Sequence, residues 1–228
     1  MTLPREGARR PGPRTDVSAR DLILDVAEEL FASTAPEAIS LRAVARAADV
    51  APAAVTYHFA HKAGLLEAVF VRRTPTVSED IRARLAALAE GTPPEPTARD
   101  LVEAIVLPLV ELVAANPVGG HRWVQVFVRL AMQQHPLWVA EVARTPDLVT
   151  LFLDAAARAL PELSTLEAMR RMGIAMFTML TALGNADLAA YGPATGPAGF
   201  DPRFVEQLVL FTAAGLTGAG DSPRHREQ

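Results

Sequence analysis

The 228-residue sequence contains no cysteine, which excludes disulfides, thiolate metal ligands and a cysteine nucleophile. Aromatic residues make up only 6% of the chain, but 50% of the residues are hydrophobic, which is enough for a packed core. No apolar run reaches the roughly 20 residues that a bilayer span requires. The longest nearly uncharged run, residues 172–186, contains two threonines and an asparagine, so it predicts a buried helix.

The arginine-rich N-terminus lacks the apolar stretch of a secretory signal. We therefore expect a soluble cytoplasmic protein, and the lack of cysteine agrees with that location. Signatures of catalysis are also missing. The five histidines have no metal-ligand spacing, and there is no phosphate loop, dinucleotide fingerprint or nucleophile elbow. The sequence predicts no enzymatic activity, no metal site and no cofactor.

The net charge of −4 gives no indication of a nucleic-acid partner, but the charges are unevenly distributed. Residues 1–75 carry ten basic and nine acidic side chains, whereas residues 76–228 carry twelve basic and seventeen acidic ones. Residues 1–17 are rich in arginine, proline and glycine, and we expect them to form a disordered basic arm. The asymmetry indicates a basic arm on an acidic body, and a solvated tail without a partner is the alternative.

Hydrophobic spacing is helical in nearly every periodic segment, and no stretch alternates as a strand would, so the pattern predicts an all-α protein. Ser18 is a candidate N-cap for a first helix that ends at Ala35-Pro36, and Ser40 is a candidate cap for a short second helix. A fourth helix should begin near Lys62, with Pro75 interrupting or kinking it. Further helices are expected over residues 97–115, 120–134, 137–144, 147–160, 165–190 and 202–217.

Residues 40–62, SLRAVARAADVAPAAVTYHFAHK, are the most informative segment. Asp49-Val50-Ala51 is a three-residue turn after the second helix, and Pro52 occupies the favoured first position of a third helix. Two short helices joined in this way make a helix-turn-helix, whose second helix fits the major groove of DNA. Val55 and Phe59 should anchor that helix from below. The residues left on its outer surface are Ala53, Thr56, Tyr57 and His58.

This arrangement resembles the DNA-binding domain of TetR-family transcriptional regulators over residues 18–70. Four positions depart from the family pattern: Ala35 and Asp49 replace the glycines usual after the first helix and in the turn, Ala51 replaces the serine or threonine usual before the recognition helix, and Thr56 replaces the first of two common aromatics. The resemblance rests on Leu30-Phe31, Ser40-Leu-Arg-Ala-Val-Ala45, Val55-Thr-Tyr-His-Phe59, Lys62 and Leu65-Leu66.

The resemblance implies roles at the matching positions. Tyr57, His58 and Lys62 would contact the DNA backbone, Lys62 with a helix N-terminus behind its charge. Thr56 and Ala53 would face the bases, and the arginines of the basic arm would follow the minor groove. Packing is the alternative for Tyr57 and His58, and plain solvation is the alternative for Lys62. The complete set of predicted DNA-binding residues is Ser40, Arg42, Ala53, Thr56, Tyr57, His58 and Lys62.

The resemblance also implies a domain order. Residues 18–64 would form a three-helix DNA-binding domain, residues 65–218 a larger helical bundle for ligand binding and dimerisation, and residues 219–228 a disordered tail. The last two long helices are apolar on more than one face, and this family commonly builds its dimer interface from them. A thick monomer core is the alternative. The candidate dimerisation residues are Met172, Met179, Leu183, Phe204, Leu208 and Phe211.

A small-molecule pocket is expected between the middle helices, where bulky and adaptable side chains are available. Ordinary core packing is the alternative for each of them. The effector would be apolar or weakly polar. The candidate ligand-binding residues are Leu107, Val110, Trp123, Phe127, Leu130, Met176 and Leu180.

Two functional hypotheses follow. The first is a ligand-responsive transcriptional repressor that binds a palindromic operator on double-stranded DNA as a homodimer. The alternative is a helical ligand-binding or interaction protein that has lost operator binding, because Ala51 has no hydroxyl and the body is acidic.

Overall fold

The structure, a computed structural model, describes residues 16–91 and 94–218, with side chains described from residue 19 onward. α-Helices account for nearly all of the regular structure in these ranges, so the predicted all-α class is confirmed. The chain divides into two compact units between Ala68 and Val69. The helices that begin before that boundary are α1 (Asp16–Ser33), α2 (Leu41–Ala47), α3 (Pro52–His58) and α4 (Lys62–Val71). The later helices are α5 (Thr74–Glu90), α6 (Ala98–Ala115), α7 (Pro117–Met132), α8 (Pro136–Arg144), α9 (Pro146–Ala159), α10 (Thr165–Gly184) and α11 (Pro202–Thr217).

Helix boundaries follow local capping chemistry. Ser40 Oγ accepts a hydrogen bond from the N–H of Ala43 at 3.1 Å and caps α2, as predicted. Thr97 and Ser164 form capping boxes with the carboxylates three residues later and begin α6 and α10. Two predictions were wrong. Ser18 lies inside α1, which begins two residues earlier, and Pro75 lies in the first turn of α5, where proline is favoured, instead of kinking α4.

The core of the N-terminal unit forms where α1 lies against α2 and α3. Side chains three and four residues apart give α1 one continuous apolar stripe, and short apolar residues of α2 and α3 cover it. The buried residues are Ile23, Leu24, Ala27 and Phe31 of α1, together with Val44, Ala45, Val55, Phe59 and Leu65 from the rest of the unit.

The C-terminal unit is a bundle in which α5 packs against α6 and α9, and α10 packs against α7 and α11. Trp123 of α7 is fully buried, and its indole N–H donates to the carbonyls of Val69 and Phe70, each at 3.1 Å. The last helix, α11, is joined to α6 by an ion pair. The Arg99 guanidinium on α6 donates to both carboxylate oxygens of Glu206 on α11, at 2.8 and 2.6 Å.

The uncharged run over residues 172–186 lies mainly on α10. Met179 and Leu183 on this helix are buried, whereas Ile174 is 70% exposed, so the helix has one buried side and one open side. Within the described ranges, no helix is both long and apolar enough to span a bilayer.

The segment after α10 differs from the prediction. α10 ends at Gly184 instead of near residue 190, because Asn185 Nδ2 donates to the Thr181 carbonyl at 2.8 Å and terminates the helix. A short antiparallel pair follows, β1 (Thr195–Gly196) and β2 (Gly199–Phe200), where no strand was predicted. Gly199 has a φ of +104°, and a Cβ there would lie 3.2 Å from the Cα of Ala114, so this position requires glycine.

The His121 side chain on α7 contacts the end of α10 through one hydrogen bond and Phe200 of β2 through one ring contact. Its Nε2 lies 3.2 Å from the Leu183 carbonyl, and its ring meets Phe200 edge-on with 5.5 Å between the centroids. Because a carbonyl only accepts, Nε2 carries the proton. Burial lowers the pKa of His121 below its usual value, although the Leu183 carbonyl and the Asp187 carboxylate oppose that shift. The imidazole is therefore neutral near pH 7.

Candidate functional site

The turn between α2 and α3 has the backbone of a Schellman motif. Asp49 has a φ of +51°, in the left-handed region, which its short polar side chain tolerates. The N–H of Val50 donates to the Ala45 carbonyl at 3.0 Å, and the N–H of Asp49 reaches the Arg46 carbonyl at 3.4 Å. These bonds satisfy the last carbonyls of α2 and reverse the chain sharply. Asp49 therefore serves as the turn residue, as predicted for a helix-turn-helix.

The inner side of α3 is anchored by Val55, which is fully buried, and by Phe59 at the end of the helix. The Arg20 guanidinium of α1 lies over the Phe59 ring, 5.4 Å from its centroid, and adds a cation–π contact. Ala51 precedes α3 without a side-chain cap, and Pro52 begins the helix. The packing fixes which side of α3 remains open to a partner.

Five predicted DNA-binding residues are exposed: Ser40 and Arg42 at the start of α2, and Ala53, Thr56 and Tyr57 on α3. The Tyr57 side chain is 76% exposed, and its ring lies edge-on to His58 with 5.1 Å between the centroids. His58 itself is half-buried, so it is less open than predicted.

Thr56 has a partly committed hydroxyl. Its Oγ1 lies 3.3 Å from the Pro52 carbonyl and 3.1 Å from the Ala53 carbonyl, so the hydroxyl proton is donated within α3. The residue is exposed, and a hydroxyl oxygen that donates its proton still accepts through its lone pairs. Thr56 can therefore accept a hydrogen bond from a base or contact a thymine methyl group.

Lys62, at the start of α4, is half-buried, and its ammonium group makes a hydrogen bond within the protein. Its Nζ donates to the Glu37 carbonyl at 3.0 Å and holds the loop before α2 against the start of α4. An ammonium group has three donors, so two protons remain for a phosphate.

The start of α4 also contains a functional detail that sequence reasoning missed. His61 Nδ1 accepts the N–H of Gly64 at 2.9 Å and caps the helix. A histidine in this position gives only a weak capping signal, because serine, threonine, aspartate and asparagine dominate N-caps.

Positive charge is sparse on the described part of the N-terminal unit. Residues 19–68 contain four basic and seven acidic side chains. Attraction to a polyanion in this unit therefore depends on where the few cations lie, and not on a bulk field. The predicted arginine arm of residues 1–17 lies outside the described residues, apart from the helical residues 16 and 17.

The C-terminal unit contains a mainly apolar cavity of about 170 Å³ lined by residues of α5, α6, α7, α8, α9 and α10. Three of the predicted ligand-binding residues line it: Phe127, Met176 and Leu180. Sequence reasoning missed much of the wall, including Ile105 and Leu109 on α6, since an apolar residue facing a cavity has the same pattern as one facing the core.

The other four predicted ligand-binding residues do not line the cavity. Leu107 lies two residues from both Ile105 and Leu109, so it points to the other side of α6. Val110 is likewise turned away. Trp123 and Leu130 of α7 are fully buried in the core, and the Trp123 ring stacks on Phe127 from behind, with 5.0 Å between the centroids.

One carboxylate reaches the cavity. Glu141 of α8 is the only ionisable side chain among the described lining residues, and its side chain is 14% exposed. Its Oε1 lies 3.5 Å from Ser78 Oγ, which donates, and its Oε2 lies 3.2 Å from an Arg144 guanidinium nitrogen. The cavity is thus an apolar space with a single acidic corner.

The predicted dimerisation residues fall into two groups. Met179 and Leu183 are buried within the chain, Met172 lines the cavity, and Leu208 is buried but borders the depression between α10 and α11. Their position on two-sided apolar helices could not be resolved from hydrophobic spacing alone. Phe204 is half-buried and Phe211 is 71% exposed. The α10–α11 face consists of the adjacent outward residues Gly173, Ile174, Phe177, Phe204 and Phe211, which line one open depression.

Two family models match the chain. The model described as "Bacterial regulatory proteins, tetR family" matches residues 23–69, and the model described as "Tetracyclin repressor-like, C-terminal domain" matches residues 103–215. Together they cover both compact units. No curated protein matches the sequence.

Solved structures of similar fold cover most of the chain. The fatty acid degradation regulator FadR from Bacillus halodurans is 18% identical, with a TM-score of 0.57 over 96% of this chain and 100% of that one. A TetR-like transcriptional regulator from Rhodococcus is 17% identical, with a TM-score of 0.59 over 92% and 100% of the two chains. The ketosteroid transcriptional regulator KstR2 of Mycobacterium tuberculosis is 16% identical, with a TM-score of 0.56 over 88% and 94%. At these identities the likeness concerns the fold.

Proposed function

We propose that this chain, which belongs to the TetR family of transcriptional regulators, is a cytoplasmic, ligand-responsive repressor that binds a palindromic operator as a homodimer. The observation that carries the DNA-binding part is the open side of α3. There, Tyr57 and Thr56 are exposed beside the capped start of α2. In a helix-turn-helix this side enters the major groove.

Contacts on that side of α3 would be of two kinds: contacts to the DNA backbone, which position the protein, and contacts to base edges, which recognise the sequence. Tyr57 would donate its phenol proton to a phosphate, while Ser40, Arg42, His58 and Lys62 would hold the neighbouring backbone. Thr56 and Ala53 would face base edges, with Thr56 acting as an acceptor or through its methyl group, because its proton is bonded within the helix. Sequence preference would therefore depend mainly on Thr56 and on the small size of Ala53.

Dimerisation would use the α10–α11 face. Its exposed Ile174 and Phe211 lie on helices of the C-terminal unit whose other sides are buried in the bundle. Pairing of identical faces through a two-fold axis buries such residues on both partners and gives a closed dimer. The two recognition helices of a dimer would then read half-sites about one DNA turn apart, roughly 34–36 Å, or somewhat more.

The effector response would begin in the cavity. Thr74 lines the cavity, and its hydroxyl donates to the Phe70 carbonyl at 2.6 Å near the end of α4. Because α4 continues from one unit into the other, a ligand that displaces Thr74 would bias the position of α4. A coupling of about 1–3 kcal/mol between ligand and DNA is typical of such linkage.

A gel shift of the full chain on the DNA upstream of its own gene tests the proposal. We expect a salt-sensitive, sequence-selective complex whose half-sites are related by two-fold symmetry. A lack of selective binding both to that DNA and to a genomic selection library would leave the alternative, a helical ligand-binding protein without an operator. Two observations favour that alternative. Ala51 provides no side-chain cap for α3, and residues 19–68 carry few positive charges.

A further inference from the structure

We propose that Glu141 determines which effectors the cavity accepts: compact, mainly apolar molecules with a single hydrogen-bond donor, and not carboxylates. This inference rests on the proposed effector role of the cavity. It adds the chemical class of the ligand and names the residue that selects it.

The size of the cavity limits the ligand. A dry, apolar protein cavity of about 150 Å³ accommodates one benzene ring, and the cavity described here has a volume of about 170 Å³. Aromatic walls formed by Phe127, Trp138 and Phe152 suit a flat or compact hydrocarbon body. We therefore infer a ligand of about one ring with a short substituent, and long acyl chains would not fit without expansion.

The acidic corner of the cavity is left with accepting capacity. The Ser78 Oγ–Glu141 Oε1 distance of 3.5 Å is at the outer limit of a hydrogen bond, so Ser78 is a weak partner. Arg144 lies on the Oε2 side and is 64% exposed, so it points mainly toward solvent. A hydrogen-bond donor of the ligand, placed beside Oε1, would give this oxygen a strong partner in a carboxylate that is largely removed from water.

The same corner disfavours anions. A ligand carboxylate would bring a second negative charge next to Glu141, and no arginine or lysine is present among the described residues that line the cavity. Burying an unpaired charge costs far more than burying a neutral polar group. A hydroxyl or an ammonium group can donate a hydrogen bond to the Glu141 carboxylate, which can only accept one. A hydrocarbon ligand is stabilised only by the burial of its apolar surface.

Four one-ring probes test the proposal by calorimetric titration of the full chain without DNA: benzyl alcohol, benzylamine, toluene and benzoate. We expect at least one donor probe to bind about tenfold more tightly than toluene, and benzoate to bind more weakly than toluene. The comparison of benzyl alcohol with benzylamine identifies the donor as a hydroxyl or an ammonium group.

Glu141→Gln is the decisive variant, because it keeps the shape and removes the charge. We expect the preference for donors over toluene to fall to less than about threefold and benzoate to gain affinity, while toluene binding stays unchanged. Glu162→Gln is the matched control, since Glu162 is exposed and does not line the cavity. If Glu141→Gln fails to fold, as judged by helical circular dichroism, the wild-type order of the four probes decides the question.

The proposal is overturned if benzoate binds wild type as tightly as the donor probes, if Glu141→Gln keeps the wild-type order, or if no probe binds. A gel shift with the tightest probe separates this result from the proposed function. Probe binding in the expected order without any effect on the DNA complex would support the role of Glu141 and contradict effector control of DNA binding.

Discussion

At the scale of single residues, the outer side of α3 and the start of α4 combine exposed side chains with side chains that already make hydrogen bonds. Tyr57 is 76% exposed, whereas Thr56 donates its proton within the helix and Lys62 holds the Glu37 carbonyl. Exposure of a large aromatic side chain has no benefit for the fold, because its apolar ring remains in water. The proposed contact with a DNA phosphate would give this side chain a partner.

Tyr57→Phe removes only the phenol oxygen. We expect DNA affinity to fall about ten- to hundredfold, the range for one hydrogen bond to a charged group, with no change in melting temperature because the residue is exposed. Fluorescence anisotropy on operator DNA measures the affinity. Thr150→Val is the control, since it also removes one exposed hydroxyl but Thr150 belongs to the C-terminal unit. Equal affinities of wild type and Tyr57→Phe would remove the phosphate contact from the proposal.

The residue scale is also where prediction from sequence reached its limit. Spacing separated anchor from surface on α3, because Val55 and Tyr57 lie on opposite sides of a short helix with one core. It could not separate cavity, core and outer face on α10, where Met176, Met179 and Ile174 are all apolar. An apolar residue of α10 can line the cavity, fill the core or lie on the outer face, and only the positions of the neighbouring helices distinguish these three environments.

At the scale of elements, the turn between α2 and α3 depends on one left-handed residue. Asp49→Val places a β-branched side chain at a φ of +51°, and we expect it to lower the free energy of unfolding by about 1–2 kcal/mol. Asp49→Gly should be neutral or stabilising, because glycine adopts this conformation without a steric cost. Chemical denaturation of both variants measures the difference, and equal losses for valine and glycine would show that the Asp49 side chain, not its backbone, holds the turn.

A second element-scale prediction concerns pH. The pKa of His121 is lowered in the folded protein, chiefly by burial, so the unfolded chain binds a proton first as the pH falls through about 6.5. The free energy of unfolding should therefore decrease as the pH is lowered from neutral, until the buried imidazole is itself protonated.

His121→Gln keeps a donor for the Leu183 carbonyl but does not titrate. The difference between wild type and this variant, from urea denaturation at several pH values between 7.5 and 5.5, isolates the His121 contribution. The paired carboxylates of Asp147, Glu167 and Glu206 have lowered pKa values, so their stabilising contributions are lost only at more acidic pH. Parallel curves for the two proteins would contradict the assignment.

Most elements could be predicted because several helix starts have a local signal, such as Ser40, Pro52 or Thr97. The β1–β2 pair could not, since two-residue strands are too short to alternate. The end of α10 was also missed, because the side-chain bond from Asn185 to Thr181 that terminates it depends on geometry and not on hydrophobicity.

At the scale of the whole molecule, the α10–α11 face is the surface that we propose for dimerisation. Phe211→Glu places a charge where we propose that two copies meet, and we expect the dimer to dissociate while helical content is retained. Analytical ultracentrifugation measures the mass. Val118→Glu is the control, because Val118 is 62% exposed on α7, away from this face. A Phe211→Glu protein that stays dimeric would place the interface elsewhere.

The bond between Arg99 and Glu206 spans 107 residues of sequence, and this separation has a consequence for synthesis. A ribosome adds about 5–20 residues per second, so α6 leaves it roughly 5 to 20 s before α11 exists. During that interval the side of α6 that α11 will cover lies open. The newly made chain therefore passes through a period in which α6 has not yet been joined by the last helix, which is its partner in the folded protein.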